Sequence, residues 1–190
     1  MNENQWSRPT QYGKTIFRST LEARWAFFFD QLMLNWTYEP KRHGFGHGYS
    51  FTPTFFVQEI GWIEVKPSVD ELRKILSRFY LFKKRICADG SDFFVFCASK
   101  ASDQIKSSII EIENGLKIIE GFEFGYCSHC KKYILENQND DFFNSRHCDH
   151  KRHSSIVCKN KSSIYEAFRT ANDVNIIDQI ENKTRIIVSQ

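Results

Sequence analysis

The sequence predicts an α/β fold with a small metal-stabilised insert, and three features lead to this prediction. Residues 19–34 repeat apolar side chains at helical spacing. Residues 49–66 are rich in the aromatic and β-branched side chains that favour strands. After Gly121 the long apolar segments give way to Cys, His, Asn, Asp and Lys, a composition that buries little apolar surface and needs another source of order.

The length and composition limit the domain organisation. A chain of 190 residues, 41% of them hydrophobic, can bury one sizeable core with at most a small satellite. We expect a core domain over residues 1–120, a metal-binding insert over residues 121–160, and a C-terminal helix or strand over residues 161–190 that packs on the core.

The apolar segments and the cysteines indicate the compartment. No run approaches the roughly 18 to 20 apolar residues that span a bilayer, and the N-terminal segment lacks the apolar stretch of a secretory signal. We therefore expect a cytoplasmic protein with no membrane partner. Six cysteines in such a chain favour free thiols or a bound metal over disulfides, because the cytosol is reducing.

The first predicted helix covers residues 19–34 and carries its apolar side chains on one face. Ser19 and Glu22 match a capping box, in which two side chains satisfy backbone N–H groups that the first helical turn leaves unpaired. This capping interaction is also the ordinary structural explanation for Glu22.

The next segments predict strands and further helices. Strands are expected at residues 36–39, 49–57, 62–66 and 93–98, with a glycine-rich hairpin turn at residues 42–48. A second capping box, formed by Ser68 and Glu71, starts a helix with one apolar and one basic side. The pattern of residues 105–119 favours another helix.

Glu64 and Lys66 lie two residues apart on a predicted strand, so both side chains extend from the same face. Phosphodiester hydrolysis uses a divalent metal that one or two carboxylates hold, and a lysine beside the metal can orient water or stabilise developing charge. By itself, a Glu-x-Lys pair is more often a solvated ion pair on a surface strand. The neighbouring motifs therefore decide between the two interpretations.

Four segments occur in a characteristic order and spacing: FRSTLEARWA (17–26), WTYEP (36–40), FTPTFF (51–56) and IEVK (63–66). Together they resemble phage and mobile-element proteins of the PD-(D/E)xK nuclease superfamily, closely over about the first third of the chain. The resemblance implies a restriction-endonuclease-like core, a mixed sheet flanked by helices. It also implies that Glu22 and Glu64 bind Mg²⁺ or Mn²⁺ and that Lys66 is catalytic.

Thr54 departs from the superfamily pattern, because it follows Pro53 where the motif places an aspartate. A threonine hydroxyl is a poorer ligand for a hard dication than a carboxylate is. Two interpretations follow. Either Glu22 and Glu64 suffice, with or without help from Glu59, and the enzyme is slow or metal-selective, or the site is inactive and the fold persists as a binding module.

A second cluster, in the predicted insert, points to zinc. Cys127 and Cys130 form a Cys-x-x-Cys pair, which can place two thiolates on one Zn²⁺, an ion that takes four nitrogen or sulfur ligands. The remaining candidate ligands are Cys148 and His150, with His147 and His153 as alternatives. We predict a structural zinc ribbon; the alternatives are a chance cluster and, less favoured because no strand-to-helix junction presents the cysteines, a redox pair.

Basic side chains follow the Glu-x-Lys strand on the second predicted helix. They are Arg73, Lys74, Arg78, Lys83, Lys84 and Arg85. Such a row can track a phosphate backbone, although each residue alone also fits a solvated helix face. Together with basic residues in the predicted insert, they predict DNA as the partner.

These features predict an endonuclease that hydrolyses phosphodiester bonds in DNA with Mg²⁺ or Mn²⁺ and carries a structural Zn²⁺. The alternative is a catalytically inactive module on the same fold that binds DNA or a protein within a phage, transposition or defence complex. Thr54 is the residue that separates the two predictions.

Overall fold

The computed structural model describes residues 8–58, 60–86, 93–97, 107–111, 117–127, 131–137, 166 and 169–171. Its elements are, in chain order, β1 (Thr10–Tyr12), β2 (Thr15–Phe17), α1 (Thr20–Gln31), β3 (Trp36–Tyr38), β4 (His43–Gly46), β5 (Tyr49–Phe51), β6 (Phe55–Val57), β7 (Gly61–Lys66), α2 (Val69–Arg73), α3 (Leu76–Ile86), β8 (Phe93–Cys97), β9 (Ser107–Glu111), β10 (Lys117–Cys127) and β11 (Lys132–Asn137). The predicted mixed α/β class is confirmed. No helix in these ranges is long and apolar enough to cross a membrane.

Seven strands form one sheet in the order β11–β10–β9–β8–β7–β6–β3. Within the described strands, β7 and β8 are the one parallel pair, and the other neighbours are antiparallel. A parallel pair needs a crossover connection, and α2 and α3 lie in the chain between these two strands. Two further antiparallel hairpins, β1–β2 and β4–β5, stand outside the large sheet.

Two apolar clusters flank β7. The larger one contains α1 together with Ile63 and Val65 of β7, and Ala171 is buried in it as well. The smaller one joins the β4–β5 hairpin to α2 and α3 and includes Trp62 of β7. Successive side chains of a strand point to opposite faces, so Glu64 and Lys66 extend on the same side as Trp62.

Helix α1 begins and ends with defined capping contacts. At its start, the Ser19 hydroxyl accepts a hydrogen bond from the backbone N–H of Glu22, as the capping box predicts. At its end, the N–H groups of Met33 and Leu34 bond back to the last turn of the helix. Met33 has a positive φ of 55°, the left-handed conformation that closes many helices.

Three predictions of secondary structure are wrong. The predicted helix at residues 105–119 is wrong for the described part of that range, because residues 107–111 lie in β9 and residues 117–119 in β10, which pair antiparallel with isoleucines opposite one another. Residues 49–57 are not one strand, because β5 pairs with β4 whereas β6 joins the large sheet. The second helix is interrupted at residues 74–75, which separate α2 from α3.

Strand β10 crosses residue 121, where the sequence predicts the boundary between core and insert. Strands β10 and β11 belong to the same sheet as β7, so the first part of the predicted insert extends the core sheet. Cys127 is the last residue of β10 and lies opposite Lys132, the first residue of β11.

Candidate metal site

Glu64 is a buried carboxylate, 3% exposed, whose two oxygens both have partners. Oε1 lies 2.7 Å from Nζ of Lys66. Oε2 accepts hydrogen bonds from the backbone N–H of Thr54 at 2.9 Å and from its hydroxyl at 2.8 Å. A buried charge is costly unless it is paired and hydrogen-bonded, and these three contacts meet that requirement.

Thr54 is itself buried and uses its hydroxyl in two hydrogen bonds. The hydroxyl donates to Glu64 and accepts from the backbone N–H of Val65 at 3.2 Å. An ionised aspartate at this position would have no proton to donate, and its charge would face the carboxylate of Glu64. Compared with aspartate, threonine therefore forms a hydrogen bond to Glu64 in place of a repulsion between like charges. It also leaves the site with one carboxylate fewer.

Glu22 lies in the first turn of α1 and is 8% exposed. Its Oε2 accepts hydrogen bonds from the hydroxyl of Tyr38 at 2.7 Å and from the backbone N–H of Arg18 at 3.0 Å. Of the two reciprocal contacts that define a capping box, the one from Ser19 is formed. Ser19 caps the helix as predicted, whereas the Glu22 carboxylate bonds to the backbone of the preceding residue, Arg18.

The pKa of Glu22 responds to its buried surroundings and to the charge of Glu64. Burial raises the pKa of Glu22, hydrogen bonds and charge from Tyr38 and Arg18 lower it, and the carboxylate of Glu64 raises it. Helix α1 and strand β7 therefore bring two carboxylates into electrostatic contact. The structure brings Glu64, Lys66 and Thr54 together directly, and the charge of Glu64 also acts on Glu22.

A group beside Glu22 was not predicted from the sequence. The Tyr38 hydroxyl, which donates to Glu22, also accepts from the backbone N–H of Arg18 at 3.0 Å. Burial, together with the hydrogen bond to Glu22 and its charge, raises the pKa of Tyr38 to about 12, although the hydrogen bonds with Arg18 act in the opposite direction. The Arg18 guanidinium forms an ion pair with Glu39, whose backbone N–H donates to the carbonyl of Thr54 at 2.9 Å.

These residues were missed because the contacts that give them a role join distant parts of the chain. Arg18, Tyr38 and Glu39 all lie inside the four motif segments. The only local signal is that Arg18 immediately precedes the helix cap and that Glu39 immediately precedes a proline.

The side chains fit a small, hard cation in donor type and in charge. Carboxylate oxygens are the ligands such a cation prefers, and an ionised carboxylate has about four lone-pair sites, so the hydrogen bonds of Glu22 and Glu64 leave capacity for a metal. Among the described residues, no group of three or more His, Cys, Asp and Glu side chains is placed to hold a metal ion. Glu59 lies outside those residues.

The basic residues predicted to contact DNA have varied surroundings. Arg73 pairs with Asp70 at 3.1 Å, and Lys74 pairs with Glu71. Nζ of Lys84 lies 5.7 Å from the centre of the Tyr80 ring. Arg78 is exposed and Lys83 is partly buried. Arg85 bonds to the Phe45 carbonyl at 2.9 Å and so fastens α3 to the β4–β5 hairpin.

The zinc prediction falls mainly outside the described residues. Cys130, Cys148 and the histidines His147, His150 and His153 are not among them. The antiparallel pairing of β10 with β11 returns the chain to Lys132, directly opposite Cys127. Tyr126 and Tyr133 lie opposite each other on these strands, with ring centres 5.1 Å apart.

Comparison of this chain with models of known protein families, with curated proteins and with solved structures finds no match.

Proposed function

We propose that this protein is a metal-dependent endonuclease that hydrolyses phosphodiester bonds in DNA, with Glu22 and Glu64 as ligands of Mg²⁺ or Mn²⁺. The observation that carries the proposal is the environment of Glu64, a buried carboxylate in contact with Lys66 and coupled to the charge of Glu22. Buried carboxylates whose charges act on one another, with a lysine in direct contact, are typical of functional sites.

The order of the elements supports a restriction-endonuclease-like core. Helix α1 carries Glu22, and the antiparallel strands β3, β6 and β7 follow it, the last carrying Glu64 and Lys66. Helices α2 and α3 then lead to β8, which is parallel to β7. This succession of helix, three strands, helical segment and parallel strand agrees with the core that the sequence motifs imply. A zinc ribbon beyond β10 is part of the same proposal.

Each side chain has a role that follows from its position. A bound Mg²⁺ or Mn²⁺ would polarise the phosphate and lower the pKa of a coordinated water. Glu22 and Glu64 would hold that cation through carboxylate oxygens, the ligand type it prefers. Lys66, whose ammonium touches Glu64, can orient the attacking water or stabilise charge that develops on the phosphate. Thr54 fixes Glu64 through two hydrogen bonds.

The geometry of Thr54 also supports a second candidate, a non-catalytic module that binds DNA or a protein. Its hydroxyl already donates to Glu64 and accepts from Val65, which makes it a poor additional metal ligand. With two carboxylates and no third acidic ligand among the described residues, Mg²⁺ would depend on water and substrate phosphates for its remaining ligands.

A cleavage assay separates the two candidates. The protein is incubated with supercoiled plasmid, linear duplex and single-stranded DNA in Mg²⁺, in Mn²⁺ and in a chelator. An endonuclease cleaves at least one DNA form in a metal-dependent way, and Glu64→Gln abolishes cleavage. Glu71→Gln is the matched control, because it also removes one acidic charge paired with a lysine. DNA binding without cleavage by any metal would favour the binding module.

A further inference from the structure

We propose that the guanidinium of Arg18 binds a phosphate group of DNA beside the candidate metal site, and that Glu39 holds this guanidinium until the phosphate displaces it. The inference rests on the proposed function, because it assigns a contact for the same substrate. It adds a binding residue that the sequence motifs do not assign, together with an internal competitor for it.

The position of Arg18 follows from its backbone. Its N–H donates to the Glu22 carboxylate at 3.0 Å and to the Tyr38 hydroxyl at 3.0 Å. These bonds fix the residue beside one of the two proposed metal ligands. Its side chain, in contrast, is 63% exposed, so the guanidinium is accessible from solvent.

Glu39, the partner of Arg18 in the ion pair, directly follows β3. Its backbone N–H bonds to the carbonyl of Thr54, so it is attached to the segment that holds Glu64. Its side chain forms the ion pair with Arg18 and remains 32% exposed. The ion pair therefore connects the Glu22 side of the site to the Thr54 side.

The backbone of Glu39 is strained in a way that calls for an explanation. Its φ is 42°, in the left-handed region, and the next residue is Pro40. A non-glycine residue there costs on the order of 1 to 2 kcal/mol, and a residue before proline prefers extended backbone. Such strain concentrates at functional sites, where the surrounding structure holds it for a purpose.

The chemistry of the pair suits exchange with a phosphate. A guanidinium presents the same planar fork of N–H donors to a carboxylate and to a phosphate. The guanidinium side of the pair is exposed, whereas Oε1 of Glu39, the paired oxygen, is buried. An incoming phosphate therefore approaches Arg18 from solvent and competes with a single carboxylate oxygen for its donors. We therefore interpret Glu39 as a carboxylate that occupies the place of a DNA phosphate.

The test measures DNA binding without added Mg²⁺ or Mn²⁺, where metal-dependent cleavage cannot proceed. Fluorescence anisotropy with a labelled duplex is recorded over a range of salt concentrations for wild type, Arg18→Gln, Glu39→Gln and the double variant. Arg18→Gln is expected to weaken binding about fivefold and to reduce the slope of log K against log salt by about 0.9, the value for one lost phosphate contact. Arg18→Lys keeps the charge and should retain the slope while losing part of the affinity.

Glu39→Gln is expected to tighten binding when Arg18 is present and to have no effect in the Arg18→Gln background. Glu71→Gln serves as the control, since it releases Lys74 from a similar exposed pair. Its effect should be the same with and without Arg18. Equal tightening by Glu39→Gln in both backgrounds, or unchanged binding in Arg18→Gln, would overturn the inference while leaving cleavage untouched.

The outcomes distinguish this inference from the proposed endonuclease activity. The expected binding pattern without cleavage would contradict the proposed endonuclease activity and support the phosphate contact of Arg18. Cleavage together with DNA binding that is unchanged in Arg18→Gln would support the endonuclease activity and contradict the phosphate contact. A wild-type protein that binds no DNA would overturn both.

Discussion

Position 54 shows how one side chain sets the charge of the site. The threonine hydroxyl donates to Glu64 and ties this carboxylate to the segment before β6. The same hydroxyl accepts from the N–H of Val65, so it is fully used within the protein. Threonine at position 54 therefore favours the metal-free state of the site. In that state, an aspartate at the same position would place a second negative charge against Glu64 with no metal ion to balance it.

Thr54→Asp is expected to raise Mn²⁺ affinity and to lower stability when no metal is present. It removes a buried hydrogen-bond donor and adds a like charge beside Glu64, a change that costs on the order of 1 to 3 kcal/mol. Mn²⁺ should restore the loss, because the cation binds the folded state. Thermal unfolding and calorimetric titration with Mn²⁺ measure both effects. Thr54→Asn, of similar size but uncharged, should gain no affinity, and unchanged Mn²⁺ binding in Thr54→Asp would contradict the account.

Glu22→Gln is expected to stabilise the protein at neutral pH and to do so less near pH 4.5. Burial raises the pKa of Glu22 above its usual value of 4.5 in the folded protein, so the folded state retains a proton that the unfolded chain releases. The free energy of unfolding of wild type therefore falls as pH rises from 4.5 through the folded pKa, with a slope of at most about 1.4 kcal/mol for each pH step of one. Glutamine does not titrate and can still accept from Tyr38.

Urea unfolding of both proteins across this pH range measures the difference in stability. A difference that is independent of pH would show that Glu22 ionises in the folded protein as readily as in the unfolded chain.

At the scale of elements, α1 and β7 were predictable and the connections between them were not. Apolar spacing and the Ser19 cap define α1 locally, and β-branched and aromatic side chains define β7. Residues 105–119 mix isoleucines with charged residues in a sequence pattern that fits either a helix or a strand. For the described residues in that range, 107–111 and 117–119, pairing with each other and with β8 makes them strands. The contact between Arg18 and Glu39 likewise joins a helix start to the end of β3, which no local pattern reveals.

Ser19→Ala is expected to cost about 1 kcal/mol of stability and also to weaken Mn²⁺ binding. The hydroxyl caps α1 at the N–H of Glu22, so its loss loosens the turn that carries a proposed ligand. Ser68→Ala is the matched control, because Ser68 caps α2 through the N–H of Glu71 in the same way. Both variants should lose stability in chemical unfolding, and only Ser19→Ala should lose metal affinity. Equal metal affinity in the two variants would show that the Ser19 cap does not contribute to metal binding.

At the scale of the whole molecule, one sheet carries both Glu64 of the candidate metal site and Cys127, a predicted zinc ligand. Strand β7 carries Glu64, and three strands further along the same sheet β10 ends at Cys127. The change of composition predicts a domain boundary at residue 121, but strand pairing continues across it. Composition reports how much apolar surface a segment can bury, whereas the extent of a sheet depends on its pairing partners.

The purified protein is expected to contain about one Zn²⁺ per chain, as a closed structural site requires. Cys127→Ser should release this zinc, whereas Cys97→Ser, in β8 and outside the cysteine cluster, should retain it. Elemental analysis of protein purified without chelator measures the content. Absence of zinc from wild type would remove the ribbon from the account and leave the prediction for Glu22 and Glu64 unaffected.

The central claim is that Glu22 and Glu64 hold one divalent cation, and direct titration with Mn²⁺ tests it without any substrate. The account predicts one Mn²⁺ bound per chain, with affinity reduced at least about tenfold by Glu64→Gln and by Glu22→Gln, as expected when one of only two carboxylate ligands is lost. Glu71→Gln, which alters an exposed ion pair on α2, should leave the affinity unchanged. Mn²⁺ binding by Glu64→Gln that equals that of wild type would contradict the claim.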